Sequence, residues 1–402
     1  MEENDRALNI QIDKSAELLL EFCEQEQFKG WDPYDGLNSR VFKSLGLNRV
    51  PFFRLAWIQL FKRNPFNLRR LLLVPKGFNP KGIGLFLSGY SKLLIAVDKA
   101  NSQEVEKLKS KVHSLAKLLI SLQSQGYSGA CWGYNFDWQA RGGLFFPSGT
   151  PTVVATTYAA FGLFDAYEAT GEKRYLKTAI TSAKFVLNDL SRDYRDDGTF
   201  LFSYSVTKGN NTVYNASLLG SKLLSRVYHY TGDKNLIEVA KGSVKAVINA
   251  QEEDGSWVYG ELEFQSWKDS FHTGFNLECL SEYMKFSGDH SIEKAVQKGL
   301  DYYLKNFFTD EGVPKYYHNG TYPIDIHSPA QLVVTLASLG LIKENVSLVQ
   351  NVLDWTIRNM QSSEGYFYYQ TKPRFTTKIP YMRWSQAWIA HSLLVYKIAM
   401  NE

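Results

Sequence analysis

The sequence predicts an all-α protein, an (α/α)6 barrel or toroid of alternating inner and outer helices, with short hairpins in the loops at one mouth. Three observations predict it. A turn of Thr or Ser, Gly and an acid recurs at Thr170-Gly171-Glu172, Thr231-Gly232-Asp233 and Ser287-Gly288-Asp289, in steps of 61 and 56 residues. A second mark, Gln251-x-x-x-Gly255-x-Trp257, repeats its spacing at Gln361-x-x-x-Gly365-x-Phe367, with looser versions at Asp197-Gly198-Thr199-Phe200 and from Gln123 to Trp132. Between the marks, helical stretches that are apolar nearly all round alternate with amphipathic ones. Self-similarity of this kind signals a repeat architecture.

Each element has a local reason. The Gly of the first mark tolerates the left-handed backbone that closes a helix, and the acid after it suits the positive end of the next one. A tight helix-to-helix hairpin follows. The Gly of the second mark supplies a turn, and its ring caps the end of the preceding helix. In chain order the amphipathic outer helices are expected over 16–27, 103–123, 173–190, 235–249, 291–308 and 346–360. The inner ones, apolar on all sides because they are covered on all sides, are expected over 85–96, 151–169, 212–230, 271–286, 329–339 and 383–398. Thr150-Pro151 and Ser328-Pro329 each read as an N-cap hydroxyl before a Pro at the first helical position. No linker or low-complexity tract interrupts the chain, so one domain over 1–402 is expected, with an extension, 1–80, packed on the toroid.

Composition excludes several classes. Hydrophobic residues at 44% and charged residues at 21% are globular values. Lys and Arg number 45 against 41 Asp and Glu, a formal net charge of +4, which does not suit a nucleic-acid protein. Three cysteines, Cys23, Cys131 and Cys279, have neither metal nor redox spacing, so reduced thiols are expected. Met1-Glu2-Glu3-Asn4-Asp5 opens no signal peptide and no stretch is long and apolar enough for a transmembrane helix, so a cytoplasmic location is expected. The segment 62–74 mixes Arg63, Arg69 and Arg70 with Phe66, Leu71, Leu72 and Leu73. It reads as an amphipathic surface helix and is a candidate for peripheral contact with a membrane or an acidic partner. The oligomeric state is not legible.

In a toroid the inner helices run the same way, so their amino ends and the long loops feeding them crowd one mouth. Long loops carry function more often than tight turns. The feeding loops hold Asp32 and Tyr34, then Trp132, Tyr134, Asp137, Trp138 and Arg141. Tyr204 and the pair Tyr214-Asn215 follow, then Trp267, Asp269 and His272. The last contribute Tyr316, Tyr317, Asp325, His327, Arg383 and Trp384. Aromatics at 14%, with 24 Tyr and 25 Phe, exceed ordinary core needs and suit flat-faced ligands such as sugars. An Asp ahead of a helix is first of all an N-cap worth about 1 kcal/mol. Several carboxylates, His and Arg at one cavity are tolerable only if that cavity is wet, paired or functional.

Two chemistries suit these residues. Glycoside hydrolysis needs a protonated acid and an ionised carboxylate across a sugar ring. Asp269 and Asp325 are the expected pair, with Asp137 beside them and Glu261 and Glu263 in reserve. Asp137, Arg141 and His272 would orient the pair or the substrate, and Trp132, Trp138, Tyr214 and Trp384 would stack on sugar. Abstraction of the C5 proton of a uronate needs a base, an acid and a group that quietens the carboxylate. Tyr214, Asn215, His272, Tyr316, Tyr317 and Arg383 would serve, with Tyr204 and His327 as further binding residues. A glycan- or polyprenyl-binding toroid without catalysis is the reading from another class. Asp325-x-His327 with His318 and His272 lacks tight ligand spacing, so no metal is expected. No Gly-rich loop follows a strand, so no nucleotide cofactor is expected.

The alternating helices and their Gln-x-x-x-Gly-x-Trp marks resemble the toroid superfamily of six-hairpin glycosidases, polysaccharide lyases and terpene cyclases. The mark at Gln251, Gly255 and Trp257 is similar to the QW repeat of squalene-type cyclases, whose Asp-rich acid motif has no counterpart here beyond the turn Asp196-Asp197-Gly198. Trp267-Lys268-Asp269-Ser270-Phe271-His272-Thr273 resembles a Trp-Asp-aromatic-His-Thr stretch of glucuronyl C5-epimerases. The whole chain is similar to uncharacterised bacterial proteins associated with surface-polysaccharide loci. That last resemblance implies a glycan context and names no reaction.

Overall fold

The computed structural model describes residues 2–140 and 143–401, the side chains of 2–5 excepted. In chain order the helices are α1 (Glu2–Gln25), α2 (Arg40–Ser44), α3 (Pro51–Arg63), α4 (Pro80–Ala96), α5 (Ser102–Ser121), α6 (Val153–Thr170) and α7 (Lys173–Asn188). There follow α8 (Tyr214–Thr231), α9 (Lys234–Asn249), α10 (Ser270–Ser287), α11 (Glu293–Phe307), α12 (His327–Ser338), α13 (Val346–Met360) and α14 (Ala387–Asn401). Six of them, α4, α6, α8, α10, α12 and α14, pack each on the next, and α14 returns to α4. That cycle is the inner ring of an (α/α)6 toroid. The outer ring is α5, α7, α9, α11, α13 and α1, so the first helix of the chain fills the last outer place, against α13 and α14. Ser15 Oγ donates to Gln361 Oε1 at 2.8 Å, and Tyr396 Oη donates to Asn9 Oδ1 at 2.7 Å across this seam.

Burial follows the two sequence patterns. On α6 every residue from Val153 to Ala166 is buried, whereas α7 buries Tyr175, Ala179, Ser182, Ala183 and Val186 at helical spacing. The hairpin marks close α6, α8 and α10 with Gly171, Gly232 and Gly288 at φ of +72°, +69° and +74°. The second mark is a clamp between neighbouring outer helices. Gln251 Nε2 donates to the Gly255 carbonyl and to Ala295 O of α11, both at 2.9 Å. Gln361 Nε2 repeats this with Gly365 and with Ser15 O of α1, both at 3.0 Å. Trp257 Nε1 caps α9 at Val247 O (2.9 Å), and Trp132 Nε1 caps α5 at Leu119 O (2.7 Å).

Boundaries differ from expectation where a capping signal was misread. Helix α4 begins at Pro80, five residues early, with Asn79 Oδ1 accepting from Lys81 N at 3.1 Å. The N-cap of α6 is Thr152 and not Thr150. Pro329 lies inside the first turn of α12, where a missing N–H costs nothing because first-turn donors have no helical acceptor. One turn of π-helix, Met382–Gln386, leads into α14. Because α1 belongs to the outer ring, the added segment is 26–79 rather than 1–80. Within it the expected helix over 62–74 is absent. Helix α3 ends at Arg63, and Asn64 is extended ahead of Pro65, the conformation a following Pro favours.

The amino-end mouth of the inner ring is sewn by short pairings. Strands β1 (Trp138–Gln139) and β2 (Phe145–Phe146) form one hairpin, and β3 (Arg192–Tyr194) and β4 (Phe200–Phe202) another. Strands β5 (Ile324–Asp325), β6 (Gln370–Thr371) and β7 (Thr376–Thr377) form a three-stranded sheet. Single bridges tie each feeding loop to the next: Thr152 to Ser205, Val213 to Gly260, Asp269 to Tyr317, and Trp31 to Tyr381. These ties fix the loops from which the mouth is built. Among the described residues no helix is long and apolar enough to cross a membrane.

Candidate active site

Asp269 is the N-cap of α10, and its Oδ1 accepts from the His272 backbone N–H at 2.9 Å. The other oxygen, Oδ2, lies 2.7 Å from His272 Nδ1 and accepts from Trp267 Nε1 at 2.8 Å. The cap thus also holds the ring three residues on. The Asp269 side chain is 0% exposed and that of His272 is 22% exposed. A carboxylate on Nδ1 selects the tautomer protonated there and leaves the Nε2 lone pair free. Tyr259 packs on the imidazole at 4.5 Å between centroids. Asn215 and Asn276 line the adjoining crevice, each with a buried amide oxygen lacking a hydrogen bond among the described residues.

Asp325 is equally committed. Its Oδ1 accepts from His327 N and Trp384 Nε1, both at 3.0 Å, and its Oδ2 from Gln370 Nε2 at 3.1 Å. Its side chain is 0% exposed. His327 sits among Phe271, Trp384 and Trp388, with centroids at 5.1, 4.4 and 5.2 Å. Burial pushes its imidazole down to about 4, with Asp325 opposing, so it is neutral.

Arg383 is held by Asp32 through two bonds, Nε to Oδ2 at 2.5 Å and Nη2 to Oδ1 at 2.8 Å. Asp35 and Arg69 extend this network at 2.8 Å, and burial pushes the Asp35 carboxyl up to about 6 against the pull of Arg69. Over Arg383 lies Tyr134, whose hydroxyl meets that of Tyr204 at 2.9 Å. Tyr34 packs near Trp138 and Trp384, at 6.2 and 5.6 Å. Tyr34, Tyr134, Trp138, Tyr204, Tyr259, Tyr316 and Trp384 are all half-buried, as His272 is. Burial raises the phenols of Tyr134, Tyr204, Tyr259 and Tyr316. They are hydrogen-bond donors.

Beneath this mouth lies Lys81, buried in the first turn of α4, with Nζ over Tyr158, Trp388 and Phe275 at 4.6, 5.0 and 5.3 Å. No carboxylate among the described residues is within ion-pairing distance of it. Burial, seconded by Arg383, pushes its ammonium well below the usual lysine value. A cavity of about 1020 Å³ opens at the opposite mouth, lined by Asp165, Lys222, Arg226, Glu278 and His391 among others. Four of its charges are paired, Lys222 with Glu278 and Arg226 with Asp165. Burial opposes ionisation of Glu278 and Asp165, yet Lys222 in one case and Lys92 with Arg226 in the other hold both below the usual carboxylate range. These are paired charges.

The structure brings Asp269, His272, Tyr316, Asp325, His327, Arg383 and Trp384 to one mouth with Trp138 and Tyr204, and Asn215 joins at the His272 crevice. Tyr317 packs against Tyr316, tilted by 51° with centroids 4.4 Å apart. Other expected residues stand elsewhere. Trp132 is 0% exposed, a core cap and not a sugar platform. Asp137 faces the added segment, 3.2 Å from Lys43 Nζ, with its other oxygen taking Ser148 N at 2.8 Å. Buried Tyr214 senses Glu261, Arg195 and Glu252 rather than the His272 cluster. Glu261 is exposed and paired with Arg195, and Glu263 is exposed as well. Arg141 lies outside the described residues. Sequence reasoning missed Lys81, the Asp32 anchor of Arg383, and Tyr259. Asn79-Pro80 marks a helix start and could have flagged the lysine after it. No group of three or more His, Cys, Asp or Glu fit to hold a metal occurs among the described residues.

No family model matches the chain, and no curated protein matches it. Solved structures do. A GH76 α-mannanase from Bacteroides thetaiotaomicron superposes with a TM-score of 0.58 at 14% identity, over 81% of this chain and 88% of that one. A cellobiose 2-epimerase from Bacillus thermoamylovorans gives 0.61 at 12%, over 80% and 87%. An unsaturated glucuronyl hydrolase specific for heparin gives 0.62 at 11%, over 99% and 98%. The likeness is one of fold: all share the (α/α)6 toroid.

Proposed function

We propose that this protein is a glycan-processing enzyme in which His272 transfers a proton to and from a sugar carbon at the amino-end mouth. The carrying observation is the Asp269–His272 pair, a buried carboxylate that orients a partly exposed imidazole among half-buried rings. The reaction class is epimerisation or elimination. Nε2 takes the proton from a carbon next to a sugar carbonyl or a uronate carboxylate. The electron pair passes to the oxygen, where phenols kept protonated by burial and the Arg383 cation stabilise it. A phenol across the ring returns a proton to the opposite face of the carbon to give an epimer, or protonates the leaving oxygen so that its loss gives an unsaturated sugar, and His272 passes the proton it took to water. A toroid named as a cellobiose 2-epimerase supports the class.

Hydrolysis by the Asp269 and Asp325 pair, the leading expectation from sequence, requires oxygens open to the glycosidic bond and to water. Both oxygens of each carboxylate accept hydrogen bonds from protein groups, and both side chains are sealed. The proposal therefore assigns them to positioning.

The test is proton exchange. Incubation in D2O with gluco- and manno-configured disaccharides and with uronate-containing oligosaccharides should place deuterium on a ring or chain carbon of one of them, read by NMR. His272→Gln should abolish it. Elimination would show instead as new reducing ends matched by an unsaturated sugar, and new reducing ends with neither carbon-bound deuterium nor an unsaturated sugar would overturn the proposal in favour of hydrolysis.

A further inference from the structure

Between Gly36 and Val97 fall eleven of the 45 Lys and Arg and none of the 41 Asp and Glu. The rest of the chain is consequently net acidic. That acid-free run contains residues 37–79 of the added segment, whose helix α3 has two apolar faces. One, with Ile58 and Phe61, is buried against the body. The other carries Phe52, Phe53, Ala56 and Leu60 with Arg63, all exposed, over an arc of about 100° at 3.6 residues per turn. Phe52 is 72% exposed. The same segment exposes Leu45 and Val50 before the helix, and Phe66 and Leu71 after it, at 63%, 43%, 76% and 75%. Exposed Lys43, Arg49, Arg63 and Arg70 stand among them.

We propose that this face docks on the surface of an anionic lipid bilayer. Aromatic and aliphatic side chains on one side of a short helix, set among cations of which Lys43 alone is paired, with Asp137 at 3.2 Å, are what an interfacial helix presents to headgroups and acyl chains. A second copy of the chain fits poorly. A two-fold contact through this face would set Arg49, Arg63 and Arg70 of one copy against those of the other. The patch borders the mouth: Lys62 Nζ, near the end of α3, donates to Tyr34 Oη at 2.7 Å. Docking would hold the mouth beside the bilayer, whatever its chemistry.

The test uses the full chain and sedimentation with vesicles. Phosphatidylcholine–phosphatidylglycerol vesicles should carry the protein down at low salt, and pure phosphatidylcholine vesicles should not. The double variant Phe52→Ser with Phe53→Ser should weaken binding by about tenfold or more. Arg49→Glu with Arg63→Glu should abolish it, and salt should weaken the wild type. These side chains are exposed, and an unchanged circular dichroism spectrum checks each fold. Failure to bind anionic vesicles overturns the proposal. So does binding unchanged in both variants. A self-associated wild type that the same substitutions disperse, with no vesicle binding, overturns it in favour of a contact between copies.

Discussion

Replacing Asp269 by Asn should disarm His272 while leaving the helix cap in place. The amide oxygen can keep the 2.9 Å bond from the His272 N–H, which preserves the start of α10. The amide nitrogen then stands where Oδ2 stood, facing the Trp267 indole N–H and His272 Nδ1. Two donors meet at the indole, and a buried unsatisfied donor plus a lost bond to a charged acceptor costs about 2–3 kcal/mol. With an unfolding entropy of about 2.1 cal/mol/K per residue over 402 residues, Tm should fall by about 2–4 °C. The imidazole must now accept at Nδ1, which moves its proton to Nε2 and removes the lone pair from the mouth. Exchange into substrate should slow by about 10²–10⁴, the range of general acid–base catalysis. The combination with His272→Gln should be no slower than His272→Gln alone, because the two residues act as a unit. The assays are nitrogen-15 NMR of the imidazole, which reads the tautomer without substrate, and deuterium exchange. An Nδ1-protonated ring in the variant, or effects that multiply in the double variant, would refute the reasoning.

Two further outcomes follow from the backbone and the buried amine. Gly255→Ala should cost about 3 kcal/mol or more in urea unfolding, because φ is +92° and a Cβ would lie 2.3 Å from the Lys298 carbonyl oxygen. Gly232→Ala, at φ +69° with open space around it, should cost only about 1 kcal/mol; equal losses would contradict the clamp. Lys81→Met should stabilise the protein at neutral pH by about 1 kcal/mol or more. Burial holds the Lys81 ammonium below its unfolded value, so the unfolded chain binds the extra proton and wild-type stability rises with pH up to about 10.4. The variant should lose that slope, and a less stable variant would mean that the three rings hold a charged ammonium in place.

The toroid was legible because its marks are local. A Gly that must be left-handed and a Gln that must reach a carbonyl leave their spacing in the chain. The same marks, read further, would have removed Trp132 from the sugar-binding list, since it occupies the place of Trp257 and caps an outer helix as Trp257 does. Asp269 was legible as a cap and as a site residue, and it is placed to be both. What stayed hidden depends on distance along the chain. Asp32 and Arg383 are 351 residues apart, and no spacing announces that pair. Lys81, Asp165, Lys222, Arg226 and Glu278 are buried charges in largely apolar inner helices. They were readable as exceptions, but the pairing of Lys222 with Glu278 and of Arg226 with Asp165 lies between neighbouring helices and appears only when the ring closes.

That closure has a cost in time. Helix α1 occupies a seat beside α13 and α14, which are made long after it, bonded through Ser15 to Gln361 and through Asn9 to Tyr396. Until translation delivers that final hairpin, α1 has no berth and its apolar stripe stays uncovered. Long-range pairing of this kind slows folding, so a nascent chain halted before Gln361 should be a client of chaperones, and one carried past α14 should not.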